Sequence, residues 1–275
     1  MINQTKKPKI SVLTPAYNAE QFIGETIECI LNQSFKDFEF IIIDDCSIDS
    51  TAKIIKSFQK KDDRIKYFKN KKNLGIAGNR NKGLGLAAGK YVVWQDADDI
   101  SLPNRLKKQY EFMEKHPKVG ICGGYLQFFD ETGNRGVRKY ATKDESLRKN
   151  IFRFSPVAQP AAILRKSCID EAGKYDLRWP PAEDLDMSFR IGSKHKFANL
   201  AEIIIKYREH GNSATFKRLK TMELNTINIR KIYSKGWGYH PTFADYMYNV
   251  FQYISIFIVP PKLKIAVFNK LRNSK

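Results

Sequence analysis

Three carboxylates fall within four residues at Asp96-Ala97-Asp98-Asp99, and charges so close repel one another unless a cation lies among them. Mg2+ and Mn2+ meet that need. Both prefer oxygen ligands and commonly bind through one or two carboxylates together with the phosphates of a substrate. Asp44-Asp45 is a second acidic pair, followed by the turn residues Ser47, Asp49 and Ser50. At the end of an apolar run, the Asp45 carboxylate is placed to accept the imide N–H of a uracil or thymine ring, whereas Asp49 reads as a helix cap. Glu183-Asp184 stands before an apolar helical pattern, an ordinary helix start, because carboxylates favour that end of the helix dipole. Of the four histidines, His210 alone follows an apolar run and precedes a Gly-Asn-Ser turn; His116, His195 and His240 read as structural or exposed.

The elements that must hold these groups alternate. Ile10 to Leu13 is a short apolar run broken at Pro15, and Ile23, Ile27, Ile30 and Leu31 recur at helical spacing. Phe38 to Ile43 is a continuous β-favouring run, the pattern of a strand covered on both sides. A helix carrying Ala52, Ile55 and Phe58 follows, then a strand at Ile65 to Phe68, a helix at Ala77 to Ala88 closed by Gly89, and a strand at Tyr91 to Trp94. Pro103 opens a helix whose apolar stripe is Leu106, Tyr110 and Met113. Beyond it, Val119 to Cys122, Ala161 to Leu164 and Phe197 to Tyr207 read as strands and Leu185 to Ile191 as a helix. Such alternation predicts an α/β fold with a mostly parallel sheet and helices on both faces. Ligands of such sheets bind beyond the carboxyl ends of the strands. Thr14 to Asn18, Asp44-Asp45 and Asp96 to Asp99 all fall there.

Composition narrows the classes. With 42% hydrophobic residues in 275, the chain can bury a core and is not a disordered one. A formal net charge of +19 favours anionic partners, or else reflects a lysine-rich codon bias. Residues 216 to 275 hold 11 Lys and Arg against two acidic residues. Cys29, Cys46, Cys122 and Cys168 lie far apart in or beside apolar stretches, which argues against a zinc site or disulfide framework and for reduced thiols in a cytosolic protein. No apolar segment follows the basic start as a signal peptide would require, and no run of about 18 apolar residues predicts a membrane span.

Taken in order, Pro15-Ala16-Tyr17-Asn18, Asp44-Asp45-x-Ser47-x-Asp49-x-Thr51, Asn73-x-Gly75, Arg80-Asn81, Gly89-Lys90-Tyr91 and Asp96-x-Asp98-Asp99 resemble the family 2 glycosyltransferases of the GT-A fold, over residues 10 to 210. The resemblance implies roles. Thr14, Pro15 and Tyr17 would line the base pocket, with Tyr17 stacked on the ring, and Asp45 would bind the base. Arg80 would lie near the diphosphate or order the acidic loop; Asp96 would touch ribose or sugar; Asp98 would ligate the metal, Mn2+ or Mg2+. Asp99 would support the same site or cap the helix near Pro103. Asp184 resembles the general base of an inverting transfer, preferred over Glu183, and Tyr207-Arg208-x-His210 resembles a late family segment whose histidine helps hold metal or diphosphate. Cys46 stands where the family often has glycine, at a cost if the turn needs a positive φ.

Two signals are set aside. The Gly83 to Gly89 run has the wrong spacing for a dinucleotide loop and precedes a strand. Arg178-Trp179 resembles part of the Q-x-x-R-W element of processive synthases, but it lies before Asp184 and lacks the Gln, so a single transfer is expected. Acceptor loops are expected at Tyr125 to Lys139 and Phe152 to Pro160. In the tail, Tyr246 to Val259 is aromatic and apolar, and Lys262 to Arg272 has Leu263, Val267 and Leu271 on one face among lysines, as in a helix lying on anionic lipid.

The expectation is therefore a GT-A catalytic domain over 1–215 and a basic helical appendage over 216–275. It would carry out inverting, metal-dependent transfer of a single sugar, with UDP as the expected carrier, to a glycan or lipid-linked acceptor in cell-surface polysaccharide synthesis. Peripheral contact with the cytoplasmic membrane face is expected, and nucleic-acid binding is not, since no module accompanies the charge. A nucleotidyltransferase, or a non-catalytic protein held on anionic membrane, are the alternatives.

Overall fold

The computed structural model describes residues 7–210, 218–260, 263 and 264. Its first half follows from the apolar runs. β1 (Ile10–Ala16), β2 (Phe38–Asp44), β3 (Ile65–Lys69) and β4 (Tyr91–Trp94) form a parallel set in the order β3-β2-β1-β4. Their side chains alternate between two cores. Leu13, Ile41, Ile43, Val92 and Trp94 enter one, and Val12, Phe40, Ile42, Tyr91 and Val93 enter the other. Helices α1 (Ile23–Leu31), α2 (Thr51–Gln59) and α3 (Gly75–Leu86) connect these strands, and each crossover returns the chain to the same end of the sheet. A Cβ at Gly89 would lie 2.6 Å from the Ser11 backbone nitrogen, so the α3–β4 turn can sit on β1 only with glycine there.

After β4 the sheet becomes mixed. The short β5 (Ile100–Ser101) leads to α4 (Arg105–Lys115), then to β6 (Val119–Asp130) and β7 (Gly133–Arg138). Helix α5 (Asp144–Lys149) and a 3-10 turn (Gln159–Ala161) precede β8 (Ile163–Arg165), α6 (Lys166–Ala172), α7 (Glu183–Gly192) and β9 (Lys196–Arg208). β8 is antiparallel to both β4 and β6, β6 runs parallel with β9, and β5 pairs antiparallel at the β9 edge. This is the curled, mostly parallel α/β sheet of the GT-A fold.

One expectation needs correction. Residues 125–138 are not an irregular loop but the end of β6 and the hairpin strand β7. Leu126 and Phe128 are buried on one face, an alternation present in the sequence as Leu-Gln-Phe.

Helices α8 (Leu219–Tyr233) and α9 (Phe243–Ile258) pack on each other, and α8 also lies against α7, where Tyr233 Oη donates to Asp186 Oδ1 at 2.9 Å. The expected domain boundary at 215 and 216, and most of the expected Lys262 to Arg272 helix, lie outside the described residues. No helix among the described residues is long and apolar enough to cross a membrane. All four cysteines are free.

Candidate active site

The loop that follows β4 is held by its backbone. Gln95 Nε2 donates to the carbonyls of Asp96 (3.1 Å) and Asp99 (2.9 Å), and Thr26 Oγ1 to those of Ala97 (3.0 Å) and Asp99 (3.1 Å). From β9, Arg208 Nε donates to the Asp98 carbonyl at 2.8 Å. Every carbonyl of the acidic loop is thus occupied by a side-chain donor, and the carboxylates are left over. Asp98 Oδ2 lies 2.7 Å from His210 Nε2. Asp99 is buried; its Oδ1 accepts from the Arg208 backbone N–H at 2.9 Å, and its Oδ2 has no partner among the described residues. Asp99 therefore does not cap α4, one of the two roles open to it from sequence; it ties the loop to β9.

Burial, with the charges of Asp98, Glu183 and Asp184 adding to it and Arg80 opposing it, pushes the Asp96 carboxyl up to about 6. Burial and the same kind of like-charge crowding raise Asp99 well above the ordinary carboxylate range. Groups so placed favour a compensating cation.

A buried arginine that sequence reasoning missed supports this loop. Arg105 Nη1 donates to Gln95 Oε1 (3.2 Å) and Ser101 Oγ (2.9 Å), Nη2 to the Trp94 carbonyl (2.9 Å), and Nε to Gln109 Oε1 (3.2 Å). Burial pushes its guanidinium down to about 10. The signal was present: Arg105 and Gln109 share, at i and i+4, the inward face of a helix whose other buried residues are Leu106 and Met113.

Across the site stands the start of α7. Arg80, on α3, is buried between the rings of Trp94 (5.4 Å) and Tyr175 (5.6 Å), and its Nη1 pairs with Glu183 Oε1 at 2.5 Å. Tyr175 is held in turn by Asn81, which accepts its backbone N–H at 2.7 Å and donates to its carbonyl at 2.8 Å. Glu183 is thereby taken up inside, while its neighbour Asp184 remains half-buried. Burial and the Glu183 charge raise the Asp184 carboxyl to about 6, against the pull of Arg80. Arg80 is thus held by Glu183 at the start of α7, and among the described residues it makes no hydrogen bond to the Asp96 to Asp99 loop that it was expected to order.

The β1 and β2 ends form the third wall. Tyr17 is 53% exposed and Pro15 half-buried, so both can meet a ligand. Thr14 is fully buried and lies beneath this wall, with its Oγ1 lacking a partner among the described residues. Asp45 Oδ1 accepts from Asn70 Nδ2 and the Leu74 N–H, each at 2.8 Å, and Oδ2 from the Gly75 N–H at 3.0 Å. Asp49 accepts from the Thr51 N–H at 3.0 Å and the Glu20 N–H at 3.1 Å, so it joins the helix start to the loop after β1. Cys46 has φ 67°, a left-handed conformation that costs a side-chain-bearing residue about 1 kcal/mol or more. The turn's need for positive φ explains why glycine would suit that position.

The fold and these three walls define a GT-A glycosyltransferase. The sequence profile described as Glycosyl transferase family 2 matches residues 11–171. An uncharacterized glycosyltransferase of Methanocaldococcus jannaschii is 33% identical over 286 residues, covering 100% of this chain and 97% of the relative. The chain belongs to glycosyltransferase family 2. Among solved structures, Staphylococcus aureus TarS 1-349 in complex with UDP-GlcNAc aligns with a TM-score of 0.64 at 20% identity, covering 96% of this chain and 85% of that one. The mannosyltransferase PcManGT of Pyrobaculum calidifontis, in complex with GDP-Man and Mn2+, aligns with a TM-score of 0.66 at 15% identity, covering 93% and 71%. At those identities the likeness concerns the fold. Family membership favours glycosyl transfer over the nucleotidyl-transfer and non-catalytic alternatives.

Proposed function

We propose that this glycosyltransferase moves one sugar from a nucleoside-diphosphate donor, with inversion, to an acceptor hydroxyl of a glycan or lipid-linked carrier. The observation that carries this reading is the facing of two sets of carboxylates, Asp96 and Asp98 after β4 and Asp184 at the start of α7, around the buried Arg80–Glu183 pair. Asp184 takes the proton of the acceptor hydroxyl as its oxygen attacks the anomeric carbon, the bond to the β-phosphate oxygen breaks, and the nucleoside diphosphate leaves. A carboxyl near 6 is largely ionised at neutral pH yet basic enough to accept that proton.

No group of three or more His, Cys, Asp or Glu arranged for a metal occurs among the described residues. The donor set nevertheless fits Mn2+ or Mg2+ completed by phosphate oxygens: Asp98 and His210 would hold the ion, beside the unpartnered Asp99 oxygen. When bound, such an ion would neutralise the charge of the departing diphosphate. PcManGT, whose complex contains GDP-Man and Mn2+, supports metal use here. TarS, solved with UDP-GlcNAc, supports a uridine donor. Tyr17 offers a ring face to the base. A carboxylate has about four acceptor sites, so Asp45 retains one on Oδ2 for an imide N–H. The catalytic unit would end near residue 215, with 216–275 as its appendage.

The test is a thermal-shift and turnover screen of UDP-, dTDP- and GDP-sugars with Mn2+, followed by Asp184→Asn. The variant is expected to keep donor affinity within about twofold and to lose about 10³ in kcat. Loss of donor binding with retained kcat would make Asp184 structural.

A further inference from the structure

Helix α9 is inside out. Asp245, Asn249 and Gln252, at i, i+4 and i+7, form its inward stripe, where an ordinary surface helix is apolar. Arg153 Nε pairs with Asp245 Oδ1 at 2.5 Å, and Arg230 Nη1 donates to Asn249 Oδ1 (3.1 Å) and Gln252 Oε1 (2.9 Å). The outward face carries Tyr246 (51% exposed), Val250 (49%), Phe251 (63%), Ile254 (45%), Phe257 (60%) and Ile258 (72%). A contiguous apolar face of that kind marks a surface that another phase or molecule covers.

The charge around it selects the occupant. Residues 216–275 contain two acidic residues, Glu223 and Asp245, and both are buried in pairs with Lys264 and Arg153. The charges that α8 presents to solvent are the cations Lys220 and Lys231; Lys220 Nζ stands 5.0 Å from the centre of the Phe257 ring. A second copy would bring the same positive charge to the contact. An anionic bilayer complements it, with aliphatic and phenyl groups entering the acyl boundary and tyrosines and lysines at headgroup level.

We propose that the outward face of α9, flanked by the α8 lysines, docks this protein on anionic lipid. The face is joined to the segment expected to meet the acceptor: Asn249 Nδ2 donates to the Phe152 carbonyl at 2.9 Å, and Arg230 Nη2 to that of Arg153 at 2.6 Å. Docking would therefore set residues 152–160 at a defined height above the membrane, where a lipid-linked acceptor presents its head. The proposal deepens the reading of a lipid-linked acceptor, but its lipid binding stands apart from the chemistry.

The full chain is sedimented with phosphatidylcholine vesicles with and without 30% phosphatidylglycerol. Binding is expected only with the anionic lipid, falling about tenfold in 0.5 M NaCl. Phe251→Ser/Ile254→Ser/Phe257→Ser should lower partitioning at least about tenfold, with an unchanged far-UV spectrum and unchanged turnover of a soluble acceptor. Lys220→Glu/Lys231→Glu should lower binding while leaving the apolar face intact. Wild-type protein that ignores anionic vesicles, or a folded triple variant that still binds them, overturns the proposal. So does a concentration-dependent dimer that the triple variant abolishes, because a second copy would then cover the face. Absence of glycosyl transfer with retained vesicle binding would count against the catalytic reading alone.

Discussion

Strands β2 and β4 flank β1 in one sheet, and both lead into aspartates, yet the two ends treat them oppositely. After β2, Asp44 accepts from the Ser47 N–H and Tyr67 Oη, each at 2.8 Å, and Asp45 from three donors. These carboxylates build the turns on which they sit. After β4 the donors go to the backbone: Gln95, Thr26 and Arg208 occupy the loop carbonyls, and among the described residues the Asp98 carboxylate meets only His210 and one oxygen of Asp99 meets nothing. The same residue type thus serves mainly as scaffold at one strand end, with a single acceptor site of Asp45 left over, and as an unmet electrostatic demand at the next. The difference teaches that local sequence chemistry is not enough to separate a binding carboxylate from a structural one. Where the neighbouring donors point decides it. Holding underpaired carboxylates out of water costs stability, which the rest of the fold must offset.

The contrast can be broken by exchanging the consequences. Of the two strand ends, the larger effect is expected after β4: Asp98→Asn should lower Mn2+-dependent turnover about 100-fold and leave Tm within about a degree, because the loop's backbone anchors remain. Full activity in that variant would remove Asp98 from the metal. At the β2 end the balance reverses. Asp45→Ala strands the Leu74 and Gly75 N–H groups and Asn70, and unfolding calorimetry should register a loss of about 2–3 kcal/mol. An unchanged Tm would mean that those donors find water and that the β2 end is no scaffold.

The smallest effect concerns the opposite wall. The folded carboxyl of Asp184, near 6, lies above its ordinary value of 3.8, so ionisation is disfavoured in the native state. Its contribution to stability is complete below about 3.8 and is lost as pH rises through about 6. Asp184→Asn should therefore raise Tm at pH 7.5 by about 2–4 °C, and the gain should shrink towards zero by about pH 4. A variant equally stabilised at both pH values would show that packing, and not the desolvated charge, is responsible.

Much of this molecule could be read along the chain. Four apolar runs spaced by helical patterns sufficed for the parallel half of the sheet, since period and crossover length are local properties. The ordered motifs sufficed for the family; Asp45 was singled out by its place at a strand end, whereas the roles expected of Asp98, Asp184 and His210 came from the resemblance. The mixed half was less legible: β7, α5 and α6 are short, and β8 owes its place between β4 and β6 to neighbours contributed from elsewhere. The tail's aromatic run was visible, but that its polar residues face inward was not, because the stripe makes sense only against Arg153 and Arg230.

What sequence by itself determined is therefore the fold class and the family, together with a set of charged residues expected at the site. Tertiary structure alone decided which of those charges are satisfied. Arg80 meets Glu183 across 103 residues and so leaves Asp184 as the open carboxylate of that pair. Arg208 meets the Asp99 carboxylate across 109 residues and fixes the acidic loop from a strand on the far side of the sheet. The physical reason is range. Periodicity and turn chemistry act over a few residues, whereas hydrogen bonding and desolvation depend on which distant side chains share a buried volume, and only the folded chain brings them there.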